Sequence, residues 1–160
     1  MEQLARAQRY LERMRRIYQG VFSSHHTREE YEDDVTSFFL HCFHIRDWIL
    51  HLNNVGITAQ RLDLFIDANA DLRICADLCN GSKHCVLTRT PRSGAQPSVA
   101  ERSYSASTWI TDAGGGEVLQ ARYTIMTASG PRDALELAEN CMTLWQGFIS
   151  DMTNASGRGT

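Results

Sequence analysis

Histidines recur along one face of the segment 27–52, and imidazole is the side chain that changes its protonation state near neutral pH. At helical spacing, His41, His44 and His51 align in a single stripe that also contains Trp48. His41 and His44 are one turn apart, so both imidazoles can reach the same metal ion. The spacing specifies no further ligand and Trp48 favours packing. A metal held by His41 and His44 is therefore the alternative interpretation, and the expectation is that the protein needs no metal or other cofactor.

A second set of candidate residues, Arg46, Asp47 and His51, lies in the same segment. An arginine can hold a phosphate through paired hydrogen bonds and stabilise the charge that develops during its transfer. A histidine near its free pKa can transfer a proton to or from a ribose oxygen. Residues five positions apart lie about 140° apart around a regular helix. A common site for Arg46 and His51 therefore requires a distorted helix or a symmetric partner.

The residues from Arg46 to His51 resemble the R-x4-H motif of the HEPN superfamily, including a polar residue, here Asp47, directly after the arginine. Members of that superfamily are small helical bundles, and many are metal-independent ribonucleases of toxin–antitoxin and antiviral systems. The resemblance implies an endoribonuclease that acts on RNA as a homodimer, as a toxin or in phage defence. It implies Arg46 on the phosphate, His51 in proton transfer and Asp47 orienting one of them. The resemblance covers this helix and the general bundle character.

A third set of polar side chains lies at 77–84, where an acid, an amide, a hydroxyl, an ammonium and an imidazole occur close together. Asn80 and Gly81 predict the end of a helix, since both residues readily adopt the left-handed conformation that closes one. Lys83 and His84 then either complement the negative end of the helix dipole or complete the catalytic site. The string Asn80 to His84 also resembles one from uncharacterised bacterial proteins, a resemblance that implies no activity.

Arginines line one face of the first predicted helix. They follow one another at helical spacing as Arg6, Arg9, Arg13 and Arg16. One helix face can then meet several phosphates at once, so the row is the predicted nucleic-acid-binding surface. A solvent-exposed stripe with Glu2 and Glu12 nearby is the alternative interpretation.

Apolar residues at alternating spacings of three and four predict the helices that position these sets. The first helix occupies about 2–18. The second begins at Thr27, where the hydroxyl of Thr27 and the carboxylate of Glu30 form a capping box, and its buried seam continues to Leu52.

Three further helical segments follow from capping residues. Thr58 caps one segment, and Asn69 caps another that ends near Cys79. Residues 129–131 open the last helix, with Pro131 in its first turn, where the missing amide hydrogen costs nothing.

The apolar period changes from helical to alternating after His84. The segments 85–90, 102–111 and 118–127 are rich in β-branched and aromatic residues, which predicts three strands. Residues 112–116 join the last two strands as a hairpin. The sequence therefore predicts a three-stranded antiparallel meander, which departs from the simplest all-helical HEPN members.

Composition limits the class of protein. Of the 160 residues, 42% are hydrophobic and 22% are charged, which is typical of a folded domain, and the net charge is −3. The chain shows neither an apolar stretch of membrane-spanning length nor a signal peptide, so no membrane partner and a cytoplasmic location are expected. The five cysteines are odd in number and lie mostly on apolar faces, which predicts reduced core thiols.

Together these patterns predict one α+β domain over 1–154, with a disordered tail at 155–160. The predicted architecture is a four- to five-helix bundle with a three-stranded antiparallel sheet inserted before the C-terminal helix.

Three functions remain open. They are an RNA-directed endoribonuclease, a non-catalytic binding or assembly module that uses the histidine and arginine stripes for a protein partner, and a metal-binding bundle that uses His41 and His44.

Overall fold

A computed structural model of the protein describes residues 1–22, 27–52, 56–83 and 89–156, except for the side chains of Ala155 and Ser156. The elements in chain order are α1 (Glu2–Gln19), β1 (Val21–Phe22), α2 (Arg28–Phe43), α3 (Ile45–His51), α4 (Ala59–Ala68), α5 (Ala70–Lys83), β2 (Ser98–Thr111), β3 (Gly114–Thr127), β4 (Gly130–Asp133) and α6 (Ala134–Ser156). The predicted α+β class, with the sheet before the C-terminal helix, is confirmed.

His44 interrupts the helix that the sequence predicts over 27–52. The start is as predicted, because Thr27 Oγ1 accepts from the amide of Glu30 at 3.3 Å and the Glu30 carboxylate accepts from the amide of Thr27 at 2.6 Å. His44 keeps a nearly helical backbone, with φ −66° and ψ −9°, and its amide donates to Leu40 O at 3.2 Å. Counted as one interrupted helix, α2 and α3 bring the number of helices in the described residues to five.

The sheet is built around β3. It pairs antiparallel with β2 along its length, with β1 at Val118 and Leu119, and with β4 at Thr124 to Thr127. The predicted hairpin is confirmed, although β3 begins at Gly114 and leaves only a two-residue turn. The sheet thus has four strands in the described part of the chain instead of the predicted three, because the sequence did not indicate β1 or β4.

Two strand and helix boundaries differ from the prediction. Within the predicted strand 85–90, residues 85–88 lie outside the described residues, and Arg89 and Thr90 belong to no strand. Pro131 lies in β4 and not in a helix, and α6 begins only at Ala134. An edge strand tolerates a residue that has no amide hydrogen, which is why Pro131 can pair with Met126 there.

Asn80 and Gly81 do not end α5, which continues to Lys83. Neither residue has a positive φ. The glycine instead allows a close approach, because a Cβ atom on Gly81 would lie 2.3 Å from Nε2 of Gln96. That nitrogen donates to the carbonyl of Asp77 at 3.0 Å. The glycine therefore serves the packing of the 92–97 loop on the helix.

The buried side chains form a hydrophobic core between the helices and the inner face of the sheet. The predicted seams are confirmed at Phe38, Cys42, Ile45 and Trp145, each completely buried, whereas Leu52 is exposed. Cys42, Cys75, Cys79 and Cys141 are free and buried, as predicted, and Cys85 lies outside the described residues. No helix in the described ranges has the length and apolar character to cross a membrane.

The end of α6 takes in part of the predicted tail. The helix includes residues 155 and 156, whereas residues 157–160 lie outside the described residues.

Candidate functional site

α1, which carries the arginine row, packs against α2 at His41 of the histidine stripe. Gln3 Nε2 donates to the carbonyl of His41 at 2.9 Å and lies 3.1 Å from Nδ1 of the same residue. The ring of Tyr10 stacks on the His41 ring, with 5.1 Å between the centroids. Burial lowers the pKa of His41, and the positive charges of Arg6 and Arg9 lower it further.

His44, which lies at the junction of α2 and α3, contacts the end of α5. Lys83 Nζ lies 2.5 Å from His44 Nε2. Because an ammonium group can only donate, this contact requires an imidazole nitrogen that accepts. Burial lowers the pKa of His44, the charge of Lys83 lowers it further, and Asp47 acts in the opposite direction. His44 is therefore held as a neutral base at neutral pH.

These contacts join side chains from three helices into one surface. We call it the basic surface, and it consists of Arg6, Arg9, His41, His44 and Lys83. Arg9 and Lys83 are exposed, and the other three residues are half-buried. Positively charged groups next to a neutral imidazole can bind a phosphate and exchange a proton with a group beside it.

The rest of the arginine row remains open to solvent. The half-buried Arg6 pairs with Glu2 at 2.8 Å, and the exposed Arg13 pairs with Asp34 at 3.0 Å; surface ion pairs of this kind contribute little. Arg9 and Arg16 are exposed and form no ion pair with any described residue. The row can therefore meet anions along α1 without first breaking a buried interaction.

Arg46 is engaged by two carboxylates. Its Nε and Nη2 donate to the two oxygens of Asp63 at 3.1 and 3.0 Å, and its Nη1 donates to Asp47 at 3.0 Å. The Asp63 hydrogen bond is the main cause that raises the pKa of Arg46, and the same bond lowers the pKa of Asp63. Asp63 also accepts from Arg92 at 3.0 Å. The face of Arg46 that would hold a phosphate is thus occupied by Asp63.

His51 is the last residue of α3 and is exposed. Across the described residues, no hydrogen bond, ion pair or ring contact joins it to Arg46. Lys83 is brought to His44, while His84 lies outside the described residues. The catalytic roles assigned to Arg46, Asp47, His51 and His84 therefore remain predictions.

The metal alternative at His41 and His44 has no third ligand in the described part of the chain. There, the only group of three or more histidine, cysteine or acidic side chains close enough to share one ion is Cys42, Cys75 and Cys141. The ammonium of Lys83 also occupies His44 Nε2. A cation at that nitrogen repels a metal ion.

Asp77, the acid of the 77–84 set, has a structural role. It is buried, and its carboxylate accepts from the amides of Arg92 and Ser93 at 3.0 and 2.7 Å and from the Ser93 hydroxyl at 2.7 Å. These hydrogen bonds hold the 92–97 loop against α5. Among the described residues of this set, Lys83 reaches the basic surface.

Nothing in the sequence indicated that His44 would be the partner of Lys83. The two residues are 39 positions apart, and no local pattern connects them. The helical spacing of His41 and His44 did place both on one face, which was the available signal.

No family model matches the chain, and neither a curated protein nor a solved structure matches it. Function is therefore argued from the chemistry of the basic surface.

Proposed function

We propose that the protein binds RNA on the basic surface and cleaves it there by a metal-independent reaction. The observation that supports this most strongly is the contact between Lys83 Nζ and His44 Nε2, 2.5 Å long, beside the arginines of α1. A base, an acid and groups that bind phosphate are the components that phosphodiester transesterification requires. RNA carries its own nucleophile, the ribose 2′-hydroxyl, so the protein has to supply no other.

His44 and Lys83 have complementary roles in this reaction. When RNA binds, the Lys83 ammonium turns from His44 Nε2 to the 5′-oxygen, and the freed Nε2 accepts the proton of the 2′-hydroxyl as the 2′-oxygen attacks the adjacent phosphorus. The bond from phosphorus to the 5′-oxygen breaks, and the Lys83 ammonium gives a proton to that oxygen. The proton on His44 then passes to Lys83 through their contact, which restores both groups. The products are a 2′,3′-cyclic phosphate and a 5′-hydroxyl.

The choice of His44 over His51 follows from the surroundings of each residue. His44 has an acid partner and lies between the arginines of α1 and the end of α5. His51 is exposed at the end of α3, and the guanidinium of Arg46 is held by Asp63. To bind a phosphate, Arg46 would first have to leave a paired carboxylate.

The arginine row supplies binding that does not depend on RNA sequence. Arg9 and Arg16 are exposed and form no ion pair within the described residues, so each can neutralise a phosphate.

The proposal is tested by cleavage of single-stranded RNA in the presence of a chelator. His44→Ala should abolish cleavage, because it removes the base, and should leave RNA binding nearly unchanged. Lys83→Met should slow cleavage by about 10²-fold or more, since it removes the acid. Arg9→Ala combined with Arg16→Ala should weaken binding and reduce its dependence on salt by roughly two phosphate contacts.

His51→Ala is the matched control, because it removes an imidazole outside the basic surface. It should cleave like the wild-type protein. Loss of cleavage in His51→Ala but not in His44→Ala would move the reaction to Arg46 and His51, as the HEPN resemblance implies. RNA binding without cleavage by the wild-type protein would instead favour the non-catalytic binding module.

A further inference from the structure

Three cysteines from three helices meet inside the core. Cys42 belongs to α2, Cys75 to α5 and Cys141 to α6, and all three are completely buried. Their sulfur atoms lie within 4.8 Å of one another. An ion bound to three sulfurs at about 2.3 Å holds those sulfurs roughly 3.5 to 4 Å apart. Small side-chain rotations are therefore enough for the three sulfurs to share one ion.

Trp145 provides a second, independent feature of the same cluster. Its side chain is completely buried. Among the described residues, no acceptor meets the usual distance and angle for a hydrogen bond from its indole nitrogen. The indole interacts with the side chain of Cys42. A buried N–H is unfavourable unless it meets an acceptor, and an ion-bound thiolate is a strong one.

We propose that Cys42, Cys75 and Cys141 form a three-coordinate site for a trivalent thiophilic ion of the arsenic class. The coordination number follows from the cluster, since among the described residues no fourth histidine, cysteine or acidic side chain belongs to the group whose ligand atoms lie within 4.8 Å of one another. Zinc in structural sites almost always takes four ligands, which this cluster does not offer.

The charge of the buried complex selects the valence of the ion. Three thiolates with a monovalent ion leave two negative charges, and with a divalent ion they leave one. A trivalent ion leaves none. Because burying an uncompensated charge is costly, the neutral complex is favoured.

The binding reaction is a ligand exchange without oxidation or reduction. Arsenous acid has three hydroxyl groups on arsenic. Each cysteine thiol gives its proton to one hydroxyl, three arsenic–oxygen bonds break, three arsenic–sulfur bonds form and three water molecules leave.

The test uses the whole chain, unfolded and refolded with arsenite because the three sulfurs are inaccessible in the folded state. After removal of free arsenite, the wild-type protein should retain one arsenic per chain. X-ray absorption at the arsenic edge should show three sulfur neighbours and no oxygen. Its melting temperature should rise relative to the arsenic-free protein, as for any ligand that binds only the folded state.

Cys79→Ser is the matched control, because Cys79 is also buried on α5 but lies outside the cluster. It should retain one arsenic and the rise in melting temperature. Cys42→Ser and Cys141→Ser should lose both. Trp145→Phe, which removes the N–H donor together with part of the indole ring, should weaken binding by about tenfold.

Three results would overturn the site. They are a wild-type protein that retains no arsenic after refolding, an absorption spectrum with fewer than three sulfur neighbours, and unchanged arsenic retention in both Cys42→Ser and Cys141→Ser. The first two results come from the wild-type protein and stand even if a serine variant does not fold. The wild-type protein can also be refolded with Cd²⁺ and arsenite in equal amounts. If it then retains Cd²⁺ in place of arsenic, the charge argument and the assignment to a trivalent ion are contradicted.

Discussion

At the scale of single residues, the Tyr18 side chain forms the backbone hydrogen bonds that a neighbouring strand would otherwise form with β3. Its hydroxyl donates to the carbonyl of Tyr123 at 3.2 Å and accepts from the amide of Tyr123 at 3.0 Å. This part of β3 lies between the short strands β1 and β4, which pair with β3 on either side of it. A side chain of α1 therefore satisfies backbone groups that would otherwise be buried without partners.

Tyr18→Phe is expected to lower the free energy of unfolding by about 1–3 kcal/mol, because it leaves the amide and the carbonyl of Tyr123 without a partner. Urea denaturation measures the change. Tyr10→Phe is the control, since the Tyr10 ring stacks on His41 and can do so without its hydroxyl. Equal stability of Tyr18→Phe and the wild-type protein would mean that water replaces the hydroxyl.

The histidines of the basic surface predict a dependence of stability on pH. The pKa values of His41 and His44 are lowered from 6.5 in the folded protein. Below about pH 6.5 the unfolded chain then binds more protons than the folded chain, so stability is lost as the pH falls from there toward the lowered values. Carboxylates with lowered pKa values, such as Glu32 and Asp63, contribute only below about pH 4.5.

Chemical denaturation at several pH values between 7 and 5 checks this dependence. His44→Gln and His41→Gln should each reduce the slope of stability against pH, while the exposed His51→Gln serves as the control. Identical slopes in all four proteins would mean that neither histidine is held in its neutral form by the fold.

The sequence predicted which residues carry functional side chains. It predicted only some of the residues that those side chains contact. Spacing along a helix placed His41 and His44 on one face because that relation is local. The contact of His44 with Lys83 depends on how α5 packs beside α2, which no spacing records. The same holds for Asp63, which occupies Arg46 from α4.

At the scale of elements, Asp133 determines where α6 begins. Its Oδ1 accepts from the amides of Leu135 and Glu136 at 2.9 and 3.0 Å. Asp133→Ala should therefore lower the free energy of unfolding by about 1 kcal/mol. Thermal or urea denaturation tests this expectation.

Pro131→Ala is the matched variant, because the sequence placed Pro131 in the first turn of the same helix and the structure places it in β4. Its effect should be smaller than that of Asp133→Ala. The reverse order would support a helix that starts at Pro131.

Elements with a local signature were the ones that could be predicted. The capping box at Thr27 and the break at Asn69 depend on residues close in sequence, and the structure contains both. The two-residue strand β1 is too short for a periodic pattern, and it forms because β3 offers an edge. The extension of α5 through Gly81 depends on Gln96, fifteen residues further along the chain.

At the scale of the whole molecule, the distribution of charge matters more than its sum. The net charge is −3, yet Arg6, Arg9 and Lys83 concentrate positive charge on the basic surface. Of these three, Arg6 pairs with Glu2, whereas Arg9 and Lys83 are exposed and form no ion pair with any described residue. An acidic protein can therefore offer a binding surface for a polyanion.

The most direct measurement compares RNA with DNA of the same sequence, both single-stranded, with wild-type protein in a chelator. Both should bind, because the phosphates are the same. Only the RNA should be cleaved, leaving 2′,3′-cyclic phosphate and 5′-hydroxyl ends, because the 2′-hydroxyl is the nucleophile. RNA that stays intact under these conditions, or DNA that is cleaved as fast as RNA, would contradict the proposed reaction at His44 and Lys83.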